Sequence, residues 1–232
     1  MLQWEQTGED LAVSDWLIFQ LCDSAFPAGG FAHSNGLEAA WQHRRIDSGA
    51  ALDGLIRCQL NQSARGTAPF VAAAYRCPDR FEQLDALCDA LLSNHVANRA
   101  SRAQGQAFVL AVSRIFFDPS ISRWAADVRK DRSHCHLSPA FGAACRRLDL
   151  ALEQTVRLFL FLSVRSSISS AVRLGIVGPL EAQALQHRAA IYAETMVSLA
   201  LSIAAEDAAQ PAPLMDLLQG THDRLYSRLF QS

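Results

Sequence analysis

Apolar residues recur at every third or fourth position along most of this chain, whereas alternating segments rich in β-branched residues are essentially missing. This period is typical of an amphipathic α-helix, in which residues three, four and seven positions apart share one face. The pattern therefore predicts an all-α fold, a single-domain bundle of roughly ten helices. The predicted helices span about 14–22, 48–65, 67–77, 79–94, 96–117, 120–130, 138–173 and 180–205, with one more starting at Asn35 and a last one running from Pro213 to the C-terminus.

Capping residues mark several of the predicted helix starts. Asn35 can accept a hydrogen bond from the first turn of the helix that follows it, and Glu38 stands at the third helical position, as in a capping box. Thr67 and Asp79 are expected to cap two further helices in the same way.

No linker divides the chain into two domains. A chain of this length, half of it hydrophobic, buries a substantial core as one large domain or as two small ones. Because no linker stands out, we expect one domain over residues 1–232. The composition of 208–213 (AAQPAP) is the most linker-like. Residues 1–13 and about 209–232 are therefore expected to be arms that can be mobile.

Charge and composition exclude several classes of protein to which the chain could belong. With 21 basic and 23 acidic residues the net charge is −2, so we expect neither a nucleic acid nor a membrane as a partner. The first ten residues are acidic and lack the basic flank and apolar core of a signal peptide. Apolar runs such as 158–162 are far shorter than the roughly 20 residues that cross a bilayer. We expect a cytoplasmic protein whose six cysteines are reduced thiols.

The stretch 24–38 (SAFPAGGFAHSNGLE) places three glycines and a proline in one turn among aromatic and polar side chains. Two adjacent glycines, Gly29 and Gly30, stand between phenylalanines, so we expect positive φ or a close approach of the backbone there. An ordinary interhelical turn and a functional loop both fit this composition. A phosphate-binding loop does not, since no strand precedes the glycines and no Gly-Lys-Ser or Gly-Lys-Thr follows.

Two polar residues of this stretch are candidates for chemistry. His33 is a candidate general base or surface anchor, and Ser34 is a candidate nucleophile. A serine hydrolase places its nucleophile on a strand-to-helix elbow, which an all-α chain does not provide. We therefore expect no serine hydrolase triad in this stretch.

The segment His134, Cys135 and His136 is the obvious candidate for a metal site, because imidazole and thiolate are preferred ligands of zinc, nickel and copper. A closed structural site takes four ligands, and no second ligand pair stands at finger-like spacing. A polar loop that touches solvent or helix ends is the alternative. We expect no metal site and no cofactor.

Two further segments have the composition of interfaces. Within 165–175 (RSSISSAVRLG), small residues at helical spacing allow another helix to approach closely, with Arg165 and Arg173 two turns apart. A core helix with outward arginines is the alternative. In the tail, Tyr226 and Phe230 stand four residues apart, so a helix there has an aromatic stripe that docks on its own core or on a partner.

Five segments resemble, in order, the UreF family of urease accessory proteins. Each segment alone is a weak signal, but five ordered matches over nearly the whole chain are specific. The chain departs from the family pattern at His33, where many members have a tyrosine, and at Ala28, a variable turn position. The matching segments are 26–38, RAQGQ at 102–106, PAFG at 139–142, SAVRLG at 170–175 and LYSRLF at 225–230.

The resemblance implies an all-α protein without catalytic activity of its own. It implies a homodimer that assembles with the UreD/UreH scaffold and the UreG GTPase to deliver nickel into apo-urease, with a role in regulating GTP hydrolysis. Competing hypotheses are a metallochaperone that binds nickel directly through 134–136, and a helical enzyme. The residues expected to bind partners are Phe31, His33, Glu38, Arg173, Tyr226 and Arg228.

Overall fold

The computed structural model describes residues 8–130 and 133–232, with side chains from Asp15 onward. Its described residues form α-helices and connecting turns without a β-strand, which confirms the predicted all-α fold. Of the predicted N-terminal arm, residues 1–7 lie outside the described residues, and 8–13 belong to the first helix. The helices are α1 (Gly8–Cys22), α2 (Leu37–Gln42), α3 (Gly49–Gln62), α4 (Ala68–Arg76), α5 (Phe81–Leu91), α6 (His95–Ile115), α7 (Pro119–Lys130), α8 (Leu137–Arg147), α9 (Leu152–Arg173), α10 (Pro179–Ser202) and α11 (Pro213–Gly220).

Helix α8 lies at the centre of the bundle, packed against α4, α6 and α9, while α10 covers α9. A glycine permits the closest approach. A Cβ added at Gly142 of α8 would overlap the carbonyl of Val71 on α4, so only glycine fits there. The rings of Phe108, Phe141 and Phe159 join α6, α8 and α9, with centroids 5.1 and 5.6 Å apart along this row.

Helix α9 is long and apolar enough to cross a membrane by length and composition, the only such helix in the described residues. More than half of its most apolar stretch is buried inside the protein. Fully buried residues such as Leu160 and Ser167 pack against the neighbouring helices. This is how a central helix packs, and the apolar run 158–162 belongs to the core or packs against it.

The predicted single helix over 138–173 is wrong, because the chain turns between α8 and α9. Asp149 adopts φ 56°, a left-handed conformation that ends a helix. The next residue, Leu150, is buried, and its amide donates to the carbonyl of Cys145 at 3.1 Å. The turn between α8 and α9 therefore places Leu150 in the core, whereas a continuous helix would place this side chain in a different position.

Three predicted caps are also wrong. Asn35 has φ 53° and precedes Gly36, so it does not cap α2. Thr67 ends a π-helical turn, Ser63–Thr67, that joins α3 to α4 without interruption, and its side chain makes no capping hydrogen bond. Asp79 lies inside the short 3-10 turn Pro78–Arg80 that precedes α5. In each case the local pattern indicates a helix start, but the side chain accepts no hydrogen bond from the first turn of the helix.

The predicted helix from Pro213 to the C-terminus is only partly correct. Helix α11 ends at Gly220, a 3-10 turn covers His222–Arg224, and Leu225 is extended with ψ 138°. The tail therefore carries no helical stripe. It packs along the glycine-rich stretch 24–38 instead.

Candidate functional site

The glycine-rich stretch 24–38 and the tail 221–232 form one structural unit, called here the loop–tail unit. The φ angles of Gly29 and Gly36 are 72° and 84°. The positive φ expected at the paired glycines is thus confirmed for Gly29. A Cβ added at Gly36 would lie 3.1 Å from Cβ of Gln219 on α11. The loop thus needs glycine where it passes closely over the last helix.

Glu38 fixes the backbone of the tail. Its side chain is 2% exposed, and its two carboxylate oxygens accept hydrogen bonds from the amides of Leu229 at 2.6 Å and Phe230 at 3.1 Å. Oε2 also lies 3.2 Å from Nε2 of His222, a fully buried imidazole. A carboxylate buried in this way is stable only because three donors surround it.

The end of the tail pairs with the loop through backbone hydrogen bonds. The amide of Gln231 donates to the carbonyl of Ala32 at 2.8 Å, and the amide of Ser34 donates to the carbonyl of Ser232 at 2.6 Å. Nδ1 of the buried His33 lies 2.6 Å from Oγ of Ser232. Burial lowers the pKa of His33, and the positive charge of Arg99 and the His222 imidazole lower it further.

Arg173 joins the loop, the tail and α9. Its guanidinium donates to the carbonyl of Phe31 at 2.7 Å. The same group lies 3.8 Å from the centre of the Phe31 ring and 4.2 Å from the centre of the Phe230 ring. A planar cation between two aromatic faces stabilises both, so Arg173 holds Phe31 and Phe230 in a defined arrangement.

A charge cluster fixes the start of the tail on α6. Asp223 accepts two hydrogen bonds from Arg99, at 2.8 and 3.1 Å. His95 and Arg228 lie 3.3 and 3.7 Å from the same carboxylate. The hydrogen bonds from Arg99, with a smaller contribution from His95, lower the pKa of Asp223. The tail is thus attached at both of its ends.

Between these attachments the tail presents apolar side chains to solvent. Tyr226 is fully exposed and Leu229 is half-exposed, although the amide of Leu229 is bound to Glu38. Nε2 of the Gln42 side chain donates to the carbonyl of Ser227 at 2.7 Å. Phe31 is 65% exposed on the loop. The backbone is therefore fixed while large side chains stay free, which is the usual form of a protein-binding surface.

The structure brings together most of the residues predicted to bind partners. Phe31 and Arg173 touch, Glu38 and His33 contact the tail, and Tyr226 and Arg228 lie on the tail itself. Their role in binding stays a prediction. Sequence reasoning missed His222, Asp223 and Ser232, the partners that hold the tail. The sequence has no local signal for these contacts, because the paired residues are more than 120 positions apart.

The candidate metal ligands at 134–136 are used for packing and hydrogen bonding. Cys135 is buried, and burial with the nearby Asp85 charge raises its pKa to about 12, so the thiol keeps its proton. Nε2 of His136 lies 3.1 Å from Oδ1 of Asp89. Across 8–130 and 133–232, no group of three or more His, Cys, Asp or Glu residues has an arrangement that could hold a metal ion.

Comparison with known proteins shows to which family the chain belongs. The UreF family model matches residues 46–190, more than half of the chain. The chain belongs to the UreF family. It is 39% identical over 221 residues to urease accessory protein F of Arabidopsis thaliana, covering 94% of this chain and 92% of the relative. It is 37% identical to urease accessory protein F of Oryza sativa subsp. indica, covering 93% and 84%.

The UreF relatives also include bacterial proteins. Urease accessory protein UreF of Arthrobacter sp. (strain FB24) is 29% identical over 217 residues, covering 92% of this chain and 95% of the relative. The similarity to these relatives extends over nearly the whole chain, and the resemblance seen in five short segments is confirmed.

Proposed function

We propose that this chain is a non-catalytic assembly subunit of urease maturation. It joins a UreD/UreH scaffold and a UreG GTPase in the complex that delivers nickel into apo-urease and modulates GTP hydrolysis. In this proposal it acts as a homodimer in the cytoplasm. Membership of the UreF family supports the role in urease maturation.

One observation carries the proposal: Tyr226 is fully exposed on a backbone that the side chains of Glu38 and Gln42 hold in place. A flexible tail loses conformational entropy when it binds, which weakens the complex. This tail avoids most of that cost, because the backbone at Ser227 and Leu229, close to Tyr226, is already held by hydrogen bonds. Aromatic and guanidinium side chains on such a segment are the favoured anchors of protein interfaces.

The chemistry of the unit favours assembly over catalysis. His33 and Glu38 are directed at the tail, where Ser232, Leu229 and Phe230 bind their polar atoms. Both side chains are buried, so neither is open to a substrate that arrives from solvent. The contacts of His33 and Glu38 stabilise the surface that the loop and the tail form together.

Coexpression of the full chain with the scaffold and the GTPase, followed by sizing of the purified complex, tests this function. We expect one species that contains all three proteins. Coexpression with each partner alone shows which of them contacts this chain directly. A chain that elutes by itself, in the coexpression of all three proteins and in the coexpression with each partner alone, would contradict the proposal.

The choice of variants follows from the structure. Deleting 221–232 removes every donor that the buried carboxylate of Glu38 has in the tail, so it changes stability as well as the surface. Substituting exposed side chains such as Tyr226 leaves those contacts in place. Point variants therefore separate binding from folding.

A further inference from the structure

The inner side of the glycine-rich loop covers a cavity of about 610 Å³ that the proposed function does not use. Its volume is in the range of small-molecule sites, about 300–1,000 Å³. Residues of α3, α6, α8, α9 and α11 complete its walls. Phe108, Phe141 and Phe159 line it with the row of aromatic rings described above. The cavity therefore offers an apolar, aromatic interior to a ligand.

Polar groups from α3 and α11 form part of the wall. Nε2 of Gln62 donates to Oδ1 of Asp216 at 2.9 Å. The amide of Gln210, with its nitrogen towards Asp216, donates to the two carboxylate oxygens at 3.0 and 2.9 Å. Oε1 of Gln62 is buried and has no hydrogen-bond partner among the described residues. This acceptor is enclosed by its neighbours and is not open to a ligand, whereas Asp216 is only half-buried and lines the cavity.

The negative charge of Asp216 is also uncompensated. Its hydrogen-bond donors are neutral amides, and no Lys, Arg or His of the described residues forms an ion pair with it. Burial raises the pKa of Asp216, and the hydrogen bond from Gln62 opposes this effect. Arg165, a cation in the cavity wall, donates instead to the carbonyl of Cys22. A positively charged ligand group would therefore be stabilised beside Asp216.

We propose that this cavity binds a small organic cation with an apolar body, of the primary arylalkylamine class. The ammonium group donates to the carboxylate of Asp216, and its remaining donors are left for water or wall hydroxyls. The aryl body packs among the phenylalanines. This binding site is independent of the proposed function in urease maturation.

Isothermal titration calorimetry of the full chain at neutral pH tests the proposal, with phenethylamine, phenethyl alcohol and hydrocinnamate as probes. The three share one aryl body and differ in head group. We expect the amine to bind at least about tenfold more tightly than the alcohol, and the carboxylate to bind least. Failure of the amine to bind, or a preference for the carboxylate through Arg165, would overturn the proposal.

Two variants locate the site. Asp216→Asn is expected to weaken the binding of phenethylamine by about tenfold and to leave the affinity for phenethyl alcohol unchanged. The control, Asp127→Asn on the exposed face of α7, leaves both affinities unchanged. Asp216→Glu keeps the carboxylate and is expected to keep the preference for the amine over the alcohol, and circular dichroism verifies that both variants fold. An unchanged amine affinity in the folded cavity variant, or an equal loss in Asp127→Asn, would overturn the assignment.

Discussion

Glu38 and His222 are 184 positions apart in the sequence and meet in the interior, with 3.2 Å between the carboxylate Oε2 and the imidazole Nε2. The same carboxylate binds the amides of Leu229 and Phe230. One side chain of α2 thus determines the path of the tail on both sides of Tyr226. Everything proposed for the tail as a binding surface depends on this contact.

Replacing Glu38 by glutamine tests the contact. Glutamine keeps the size of the side chain but presents an NH₂ group to one of the amide donors, so a buried hydrogen bond is lost. We expect Glu38→Gln to lower the free energy of unfolding by about 1–3 kcal/mol in urea denaturation. The exposed Glu82→Gln on α5 is the matched control, with a change within about 0.5 kcal/mol. Equal effects of the two variants would show that Glu38 does not hold the tail.

The arginine between two aromatic rings gives a second prediction. Arg173→Lys keeps the charge but loses the planar group that lies against Phe31 and Phe230. We expect hydrogen exchange at the amides of Phe230 and Gln231 to become about fivefold faster, which corresponds to about 1 kcal/mol. Arg188→Lys on the exposed face of α10 leaves these amides unchanged. Unchanged exchange in Arg173→Lys would contradict the role of the stack.

His33 predicts a dependence of stability on pH. Its pKa in the folded protein lies below the ordinary value of 6.5, so the folded state binds fewer protons than the unfolded state when the pH falls below that value. The stability is therefore present above about pH 6.5 and is lost as the medium is acidified. We expect the free energy of unfolding to fall between neutral pH and about pH 5 in urea titrations.

A variant isolates this effect from other histidines. His136 also has a lowered pKa, because of its burial, and acts in the same direction. His33→Gln removes only the contribution of the loop, so its stability should fall less steeply with acid than that of the wild type. Parallel curves for the two proteins would exclude His33 as a source of the pH dependence.

Two glycines should respond to alanine with opposite signs. Gly36 has φ 84°, and a Cβ there would lie 3.1 Å from Cβ of Gln219, so Gly36→Ala is expected to destabilise the protein by about 1–3 kcal/mol. A Cβ added at Gly54, inside α3, would have no atom of a neighbouring element within 4 Å. Gly54→Ala is expected to stabilise by about 0.5–1 kcal/mol. Thermal unfolding measures both, and equal signs would contradict the strain assigned to the loop.

The fold could be predicted from sequence because its signals are local. The three-and-four-residue period of apolar positions gives α3, α6 and α7 nearly to their ends, since each helix buries one face of a continuous core. The break at Asp149 was missed. Its left-handed conformation is favourable only because Leu150 becomes buried, and that gain depends on tertiary packing.

The site could be predicted only in part. Residue type made Phe31 of the loop, Tyr226 of the tail and Arg173 at the end of α9 candidates, and their role in binding stays a prediction. The partners of Glu38 could not be found, since a carboxylate near a helix start predicts a capping box by itself. The structure uses it instead for a segment at the other end of the chain.

The most direct measurement of the central claim is copurification of the scaffold with Tyr226→Ala and Arg228→Ala variants of the full chain. We expect Tyr226→Ala to reduce the copurified scaffold about tenfold with an unchanged urea midpoint, because an exposed aromatic anchor contributes to binding and not to folding. Phe117→Ala, which removes an equally exposed ring outside the loop–tail unit, should copurify normally. Normal copurification of both tail variants would contradict the claim that the tail is the binding surface.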